Sequence, residues 1–197
     1  MRNIKSYLIT DPNYFSDNKE IFKEKLIAVL KNHKIDFACF RDKSSKNIEE
    51  LAKIFLQICK EFKIENILIN SNISLAIKLG FDGVHLNSQQ FDKIENAKKS
   101  KLITIISCHN LEELDKAINK NIDFVTYSPI FDTPNKGQSK GVDKLNEVIE
   151  KFPNLKIFAL GGIIQNEQIK EIEKLKLTVL HLLDILFKLQ KFYTIFF

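Results

Sequence analysis

Short runs of β-branched and apolar residues recur along this chain. Each is separated from the next by a stretch whose apolar residues return every three to four positions, and few folds accommodate that alternation. The runs lie at 4–10 (IKSYLIT), 36–41, 66–70 (NILIN), 83–86 (GVHL), 102–107, 123–128, 156–160 and 177–182, and the clearest helical stretches at 20–33, 47–62 and 111–120. Eight strand-and-helix units are the grammar of a (β/α)₈ barrel, an α/β fold for which 197 residues is at the short end. The pattern predicts one barrel domain over residues 1–197. A doubly wound open sheet would have fewer strands and a glycine-rich first turn, whereas the first turn here, TDPNYF, contains no glycine.

Composition narrows the function classes. The net charge of +5 is the balance of 30 basic and 25 acidic residues scattered through helical stretches, so no basic block marks a nucleic-acid surface. Three cysteines, Cys39, Cys59 and Cys108, without C-x-x-C spacing predict reduced thiols and a cytoplasmic location. The start, MRNIKSYLITD, has too short an apolar run for a signal peptide. The apolar stretch at 177–189 carries His181, Asp184 and Lys188 and falls short of a bilayer's thickness, which predicts core and no membrane partner. A homo-oligomer stays open.

In a parallel barrel the chemistry lies at the carboxyl ends of the strands. Alternation along the second strand puts Cys39, Arg41 and Lys43 on one face and Ala38, Phe40 and Asp42 on the other, with Phe40 towards the outer helices. Two cations converging on the mouth need an anion between them: a phosphate ligand, or a salt bridge to Asp11 or Asp42. The loop after the sixth strand, PIFDTPNKGQSKG, is long for a strand-to-helix connection and has Gly137 and Gly141 to let it move. Thr133, Asn135 and Lys136 in that loop supply a hydroxyl, an amide and an ammonium suited to phosphate oxygens, or else form a solvated turn. Gly161 and Gly162 follow the seventh strand, where bare backbone N–H groups suit a phosphate and Asn166 can cap the next helix. In ISCHN, Asn110 followed by Glu113 predicts a helix start, with Ser107 and His109 towards the mouth and Cys108 away from it. His109 is then either an acid/base group or an incidental imidazole at a helix end.

Six segments, YLITD, FRDK, ILINSNISLAIKLGFDGVHL, ISCHN, DFVTYSPIFDTPNKG and FALGGI, resemble the thiamine phosphate synthase/TenI family in order and spacing over about residues 4 to 170. The resemblance implies a barrel that binds a small phosphate ligand, the thiazole phosphate of thiamine biosynthesis. Two activities come with it. A synthase joins hydroxymethylpyrimidine diphosphate to thiazole phosphate and expels pyrophosphate with Mg²⁺; a TenI-type tautomerase moves a proton to aromatise the thiazole. The resemblance matches Arg41 and Lys43 to the family's basic pair, Asn70 and Ser107 to its substrate contacts, and Thr133, Asn135 (in place of a threonine), Lys136, Gly161 and Gly162 to its phosphate site. His109 matches the TenI-type histidine.

The departures decide the expectation. The family's N-D after the third strand reads Asn70-Ser71, the aspartate closing H-L-G-x-x-D is Gln90, and the glutamine of Q-x-R-x-K is Cys39. Both carboxylates that would hold Mg²⁺ are absent, and that ion prefers carboxylate and phosphate oxygens. A tautomerase needs neither metal nor diphosphate site, so the sequence favours an enzyme of that type with His109 as acid/base and no cofactor. The synthase, with Mg²⁺, is the alternative, and a non-catalytic metabolite-binding barrel is a third. The third rests on the divergent segment 175–197, which lacks the family's small-residue loop and ends in FYTIFF.

Overall fold

A computed structural model describes residues 5–134, 136–175 and 182–184. The elements are β1 (Lys5–Ile9), α1 (Pro12–Phe15), α2 (Lys19–Asn32), β2 (Phe37–Phe40), α3 (Ile48–Glu61), β3 (Asn66–Asn70), α4 (Ile73–Leu79) and β4 (Gly83–Leu86). A 3₁₀ turn (Phe91–Lys93) leads into α5 (Ile94–Lys99), followed by β5 (Ile103–Cys108), α6 (Leu111–Asn119), β6 (Phe124–Tyr127), α7 (Gly141–Lys151), β7 (Ile157–Ala159), α8 (Asn166–Glu173) and β8 (Leu182–Asp184). All ladders between them are parallel, and the order runs β7-β6-β5-β4-β3-β2-β1-β8 with β8 also close to β7, so the strands follow one another around a barrel. The expected eighth strand at 177–182 lies outside the described residues except for Leu182, where β8 begins. So does most of the segment 175–197. Among the described residues no helix is long and apolar enough to cross a membrane.

Local signals explain the elements. Asn18 accepts from the N–H groups of Glu20 and Ile21 at 3.0 and 3.2 Å and starts α2, whose Phe22, Leu26, Val29 and Leu30 make one buried stripe. Side chains of each strand divide between two cores. Phe40 faces outward, with ring centroids 6.0 Å from Phe22 and 5.7 Å from Phe55. Phe37, Phe124 and Phe158 face inward and meet one another at 5.2–5.4 Å, and Tyr7 tilts against Phe158 at 4.7 Å. This aromatic plug fills the barrel with Leu68, Ile105 and Leu160. Gly83 lets β4 and β5 approach closely: a Cβ there would sit 2.4 Å from the Ile103 carbonyl oxygen.

At the amino end of the barrel a carboxylate device repeats. Asp36, Asp82 and Asp123 each precede an even-numbered strand, β2, β4 and β6, and each reaches back to a backbone N–H of the strand before it. The acceptances are from Ser6 at 2.8 Å, Ile67 at 2.8 Å and Thr104 at 2.8 Å. Asp123 also accepts the Thr104 hydroxyl at 2.6 Å, and Asp36 that of Ser6 at 3.0 Å and the Lys5 ammonium at 3.2 Å. These bonds fix the register of the strand pairs at the end remote from the mouth.

Burial alone would push the Asp36 carboxyl up, but the bonds from Ser6 and Lys5 more than offset it and hold the group below the ordinary carboxylate range. A depressed carboxyl contributes fully above the unfolded value of about 3.9 and loses its contribution as pH falls through its folded value. Asp36→Asn is therefore expected to cost about 1–3 kcal/mol at pH 7, with the gap to wild type narrowing below about pH 4. Urea titrations at pH 7 and pH 3 check this; an equal gap at both would contradict the role given to the charge.

Candidate active site at the carboxyl end of the barrel

The two hydroxyl-to-backbone bonds of Thr10 tie the ends of β1 and β2 together. Its Oγ1 accepts from the Arg41 N–H at 2.7 Å and donates to the Arg41 carbonyl at 3.1 Å. The Arg41 guanidinium meets Asp11 at 3.2 Å, each side chain about one-third exposed (32% and 35%). The salt bridge to Asp11 is thus formed, while Asp42 is engaged by the N–H groups of Ser44 and Ser45 and the Ser45 hydroxyl. Lys43 is exposed. An exposed pair of this kind is worth at most about 1 kcal/mol, little enough for an incoming anion to displace Asp11.

Between β3 and β4 the floor of the mouth is a neutral amide and hydroxyl network. The Asn70 amide donates to the His85 carbonyl at 3.0 Å, and the Ser71 hydroxyl to Asn70 at 3.4 Å. Asn87 donates to Ser71 Oγ at 3.4 Å, and Gln90 to the Ser71 carbonyl at 3.3 Å while accepting the Asn87 N–H at 3.1 Å. Ser71 and Gln90, the two positions where carboxylates would carry Mg²⁺, are therefore uncharged and already bonded to their neighbours. Among the described residues no group of three or more His, Cys, Asp or Glu is arranged to hold a metal ion. These donors do not fit a protein-held Mg²⁺.

Below that floor lies a group that sequence reasoning passed over. His85 is buried inside the barrel, with Nδ1 2.9 Å from the Tyr7 hydroxyl and Nε2 3.1 Å from Ser107 Oγ. Burial first, and then the Arg41 charge, push its pKa down to about 3, so the ring is neutral. The available signal was period-two alternation: in GVHL, His85 shares the inward face of Gly83.

On β5 the alternation holds. Ser107 faces inward to His85, whereas Cys108 belongs to the outer core with its thiol pushed up to about 12 by burial, which removes it as a nucleophile. Asn110 caps α6 by accepting the Glu113 N–H at 2.8 Å. The reciprocal bond goes one residue earlier than a capping box would have it: Glu113 accepts the His109 N–H at 2.6 Å. This holds His109 at the rim, exposed, with Nδ1 3.1 Å from the Ser128 carbonyl at the end of β6. Since only an N–H can bond a carbonyl, Nδ1 carries a proton there.

Across the mouth the loop after β6 packs on the turn after β7. The N–H groups of Ile130 and Phe131 donate to the carbonyls of Leu160 and Gly161 at 2.9 and 3.0 Å. Both glycines have positive φ, +92° and +69°. A Cβ on Gly161 would lie 2.8 Å from Pro129 and 3.3 Å from Thr133 Oγ1, and one on Gly162 2.6 Å from the backbone of Phe131 and Asp132. Thr133 and Lys136 share an open groove, while Asn135 lies outside the described residues. Asn166 is not the cap expected of it. It is the first residue of α8, and Gln168 instead accepts the N–H groups of Ile164 and Gln165 at 2.7 and 2.8 Å. β2 and β6 lie four positions apart in the ring of eight, so Arg41 and the Thr133–Lys136 loop stand on opposite sides of the mouth.

Comparison with known proteins identifies the family and the fold. Residues 6–179 match the family model described as thiamine monophosphate synthase (TMP-TENI). The thiamine-phosphate synthase of Pelagibacter ubique is 35% identical over 163 residues, 80% of this chain and 76% of that protein. That of Oceanobacillus iheyensis is 29% identical over 170 residues, 81% and 79% of the two chains. A solved thiamine phosphate pyrophosphorylase from Pyrococcus furiosus superposes with a TM-score of 0.75 at 23% identity, covering 91% of this chain and 85% of that one, a likeness of fold.

Gly162→Ala would drive a methyl group into the backbone of the β6 loop and strain a left-handed residue, and is expected to cost about 1–3 kcal/mol and shift the 129–136 loop. Gly137→Ala, where a Cβ would meet nothing within 4 Å, should stay within about 0.5 kcal/mol of wild type. Denaturant unfolding of the two variants provides the comparison.

Proposed function

The chain belongs to the thiamine monophosphate synthase family, and from that premise we propose that it joins hydroxymethylpyrimidine diphosphate to thiazole phosphate with release of pyrophosphate. The relatives reported above carry the synthase name, which favours this activity over the tautomerase that the missing carboxylates first suggested. The observation that supports the reading is that two sets of polar and cationic groups stand on opposite sides of the ring of strands, Arg41 and Lys43 just after β2, and Thr133 and Lys136 in the loop after β6, with Thr133 beside Gly161; we read them as two anion stations. A proton shift within one monophosphate would use one such station; a condensation between a diphosphate and a monophosphate uses both.

In this reading Arg41 leaves Asp11 to meet the diphosphate, joined by Lys43. The bond between the pyrimidine's methylene carbon and the diphosphate oxygen breaks as the thiazole nitrogen bonds to that carbon. Negative charge grows on the leaving oxygens, and cations positioned there stabilise the transition state more than the ground state. Asn70 and Ser107 line the floor where the two substrates meet, and the 133–136 loop with the glycine pair anchors the thiazole phosphate. No step is assigned to a protein-bound Mg²⁺, because the floor offers that ion no anionic ligand. A cytoplasmic setting suits the three buried free thiols.

The tautomerase remains a second reading, favoured by one feature: the exposed imidazole of His109 held at the rim. One set of assays separates the two. With both substrates supplied, Arg41→Ala is expected to lower kcat/KM for condensation about 10²–10³-fold, and His109→Asn to leave it within a fewfold. No condensation by the wild type, together with thiazole aromatisation lost in His109→Asn, would reverse the assignment. Thermal shifts with thiazole phosphate and with pyrophosphate report the two anion stations separately, since each ligand raises the melting temperature only where it binds the folded state.

A further inference from the structure

The two partners of the Arg41–Asp11 pair differ in freedom. Asp11 is held by bonds that do not involve Arg41: its Oδ1 accepts the Asn13 N–H at 2.9 Å, and its carbonyl accepts the N–H groups of Tyr14 and Phe15 at 3.0 and 2.8 Å. Phe15 is buried against Phe22, with ring centroids 5.8 Å apart, so α1 anchors the carboxylate to the outer core. The bonds of Arg41 to Thr10 hold its backbone and leave the guanidinium on a flexible stem. What joins the two charges is a contact of Nη1 with Oδ2 at 3.2 Å, with about one-third of each side chain exposed. This is a single-point, water-accessible pair, without the two parallel bonds that lock a guanidinium to a carboxylate. Asp42, the neighbour of Arg41 in sequence, is differently placed, since its oxygens are spent on the Ser44 and Ser45 N–H groups and the Ser45 hydroxyl of its own turn.

A fixed carboxylate beside a mobile cation has a consequence for any anion that enters the mouth. The guanidinium can turn to the ligand, and the carboxylate cannot follow. Asp11 then stands close to the incoming negative charge, repels it, and draws the guanidinium back. We infer that Asp11 is a built-in competitor for Arg41, which weakens the hold of the β2 cations on an oxyanion ligand and recovers the guanidinium as that ligand leaves. A condensation that expels pyrophosphate gains from such a device, because cations that stabilise the leaving oxygens would also retain the product. Identifying the ligand as the leaving pyrophosphate rests on the synthase reading; the competition itself does not.

Asp11→Asn keeps an oxygen for the Asn13 N–H and removes the charge, asparagine being as good a helix cap as aspartate. Calorimetry with inorganic pyrophosphate is expected to show binding about three- to tenfold tighter than wild type, and no gain when Asp11→Asn is made in an Arg41→Ala background. Glu61→Gln makes the same charge change at the last residue of α3, on the amino side of the barrel, and is expected to stay within about twofold of wild type. Stopped-flow displacement should place the gain in a slower release of pyrophosphate. Unchanged or weaker binding in Asp11→Asn overturns the inference. So does a gain that survives Arg41→Ala, is matched by Glu61→Gln or is confined to the association rate, each of which marks a general effect of net charge. Should Asp11→Asn fail to fold, Asp11→Ser, also a capping residue, puts the same question. Condensation by the wild type with no tighter binding in Asp11→Asn leaves the synthase reading standing and removes this one; an Arg41-dependent gain without condensation does the reverse. Absence of pyrophosphate binding in both wild type and Asp11→Asn overturns this inference whatever the condensation assay shows.

Discussion

Inside the barrel Phe37 meets Phe124 and Phe158 edge to face, Phe124 and Phe158 tilt against each other, and Tyr7 tilts against Phe158, so that β1, β2, β6 and β7 are held at the distance these rings impose. Each buried ring contributes about 2–3 kcal/mol by leaving water, and the tilted contacts add about 0.5–1.5 kcal/mol per pair. A closed parallel sheet of eight strands has an interior just wide enough to be filled by side chains, so the size of this plug sets where the strand ends stand. Gly83 shows how tight the fit is, because the backbone of β5 occupies the place of a side chain. The mouth above inherits that rigidity. Arg41, Asn70, Ser107 and His109 all stand at or just beyond the ends of strands whose lower halves are locked in the plug.

The two ends of the barrel divide their labour by charge. At the amino end Asp36, Asp82 and Asp123 spend their carboxylates on backbone N–H groups of neighbouring strands. At the carboxyl end the β3 and β4 floor has no charge, and the cations stand around it at β2 and in the β6 loop. The rim carboxylates are already engaged, Asp11 by Arg41 and Glu113 by the His109 N–H, so the donors of the floor face the mouth without a charge among them. Burial and the nearby Arg41 charge keep His85 neutral as well, so the interior beneath the floor carries no charge at that ring.

Much of this was legible in advance because strand alternation is a strict rule. NILIN and GVHL lie over the observed β3 and β4 residue for residue, Phe40 and Cys108 face the helices, and Ser107 faces inward. The resemblance led to the right family, whereas the subtype it suggested leaned on two absent carboxylates and is not what the relatives' names favour. What could not be seen was partnership. Asp11 pairing with Arg41, Gln168 rather than Asn166 closing the start of α8, and Tyr7 finding His85 across 78 positions of chain all depend on how distant strands meet.

The chain's residue pattern by itself determined the barrel, the faces of its strands and the set of polar groups at their carboxyl ends, because a period of two along a strand and of 3.6 along a helix is a local property. Only the folded barrel decided which of those groups share a bond, which stand on opposite sides of the mouth, and that a histidine lies buried in the interior in its neutral form. Those outcomes depend on ring closure, which brings β1 beside β4 and β5 through the interior, and on burial, which removes the water that would otherwise satisfy each group alone.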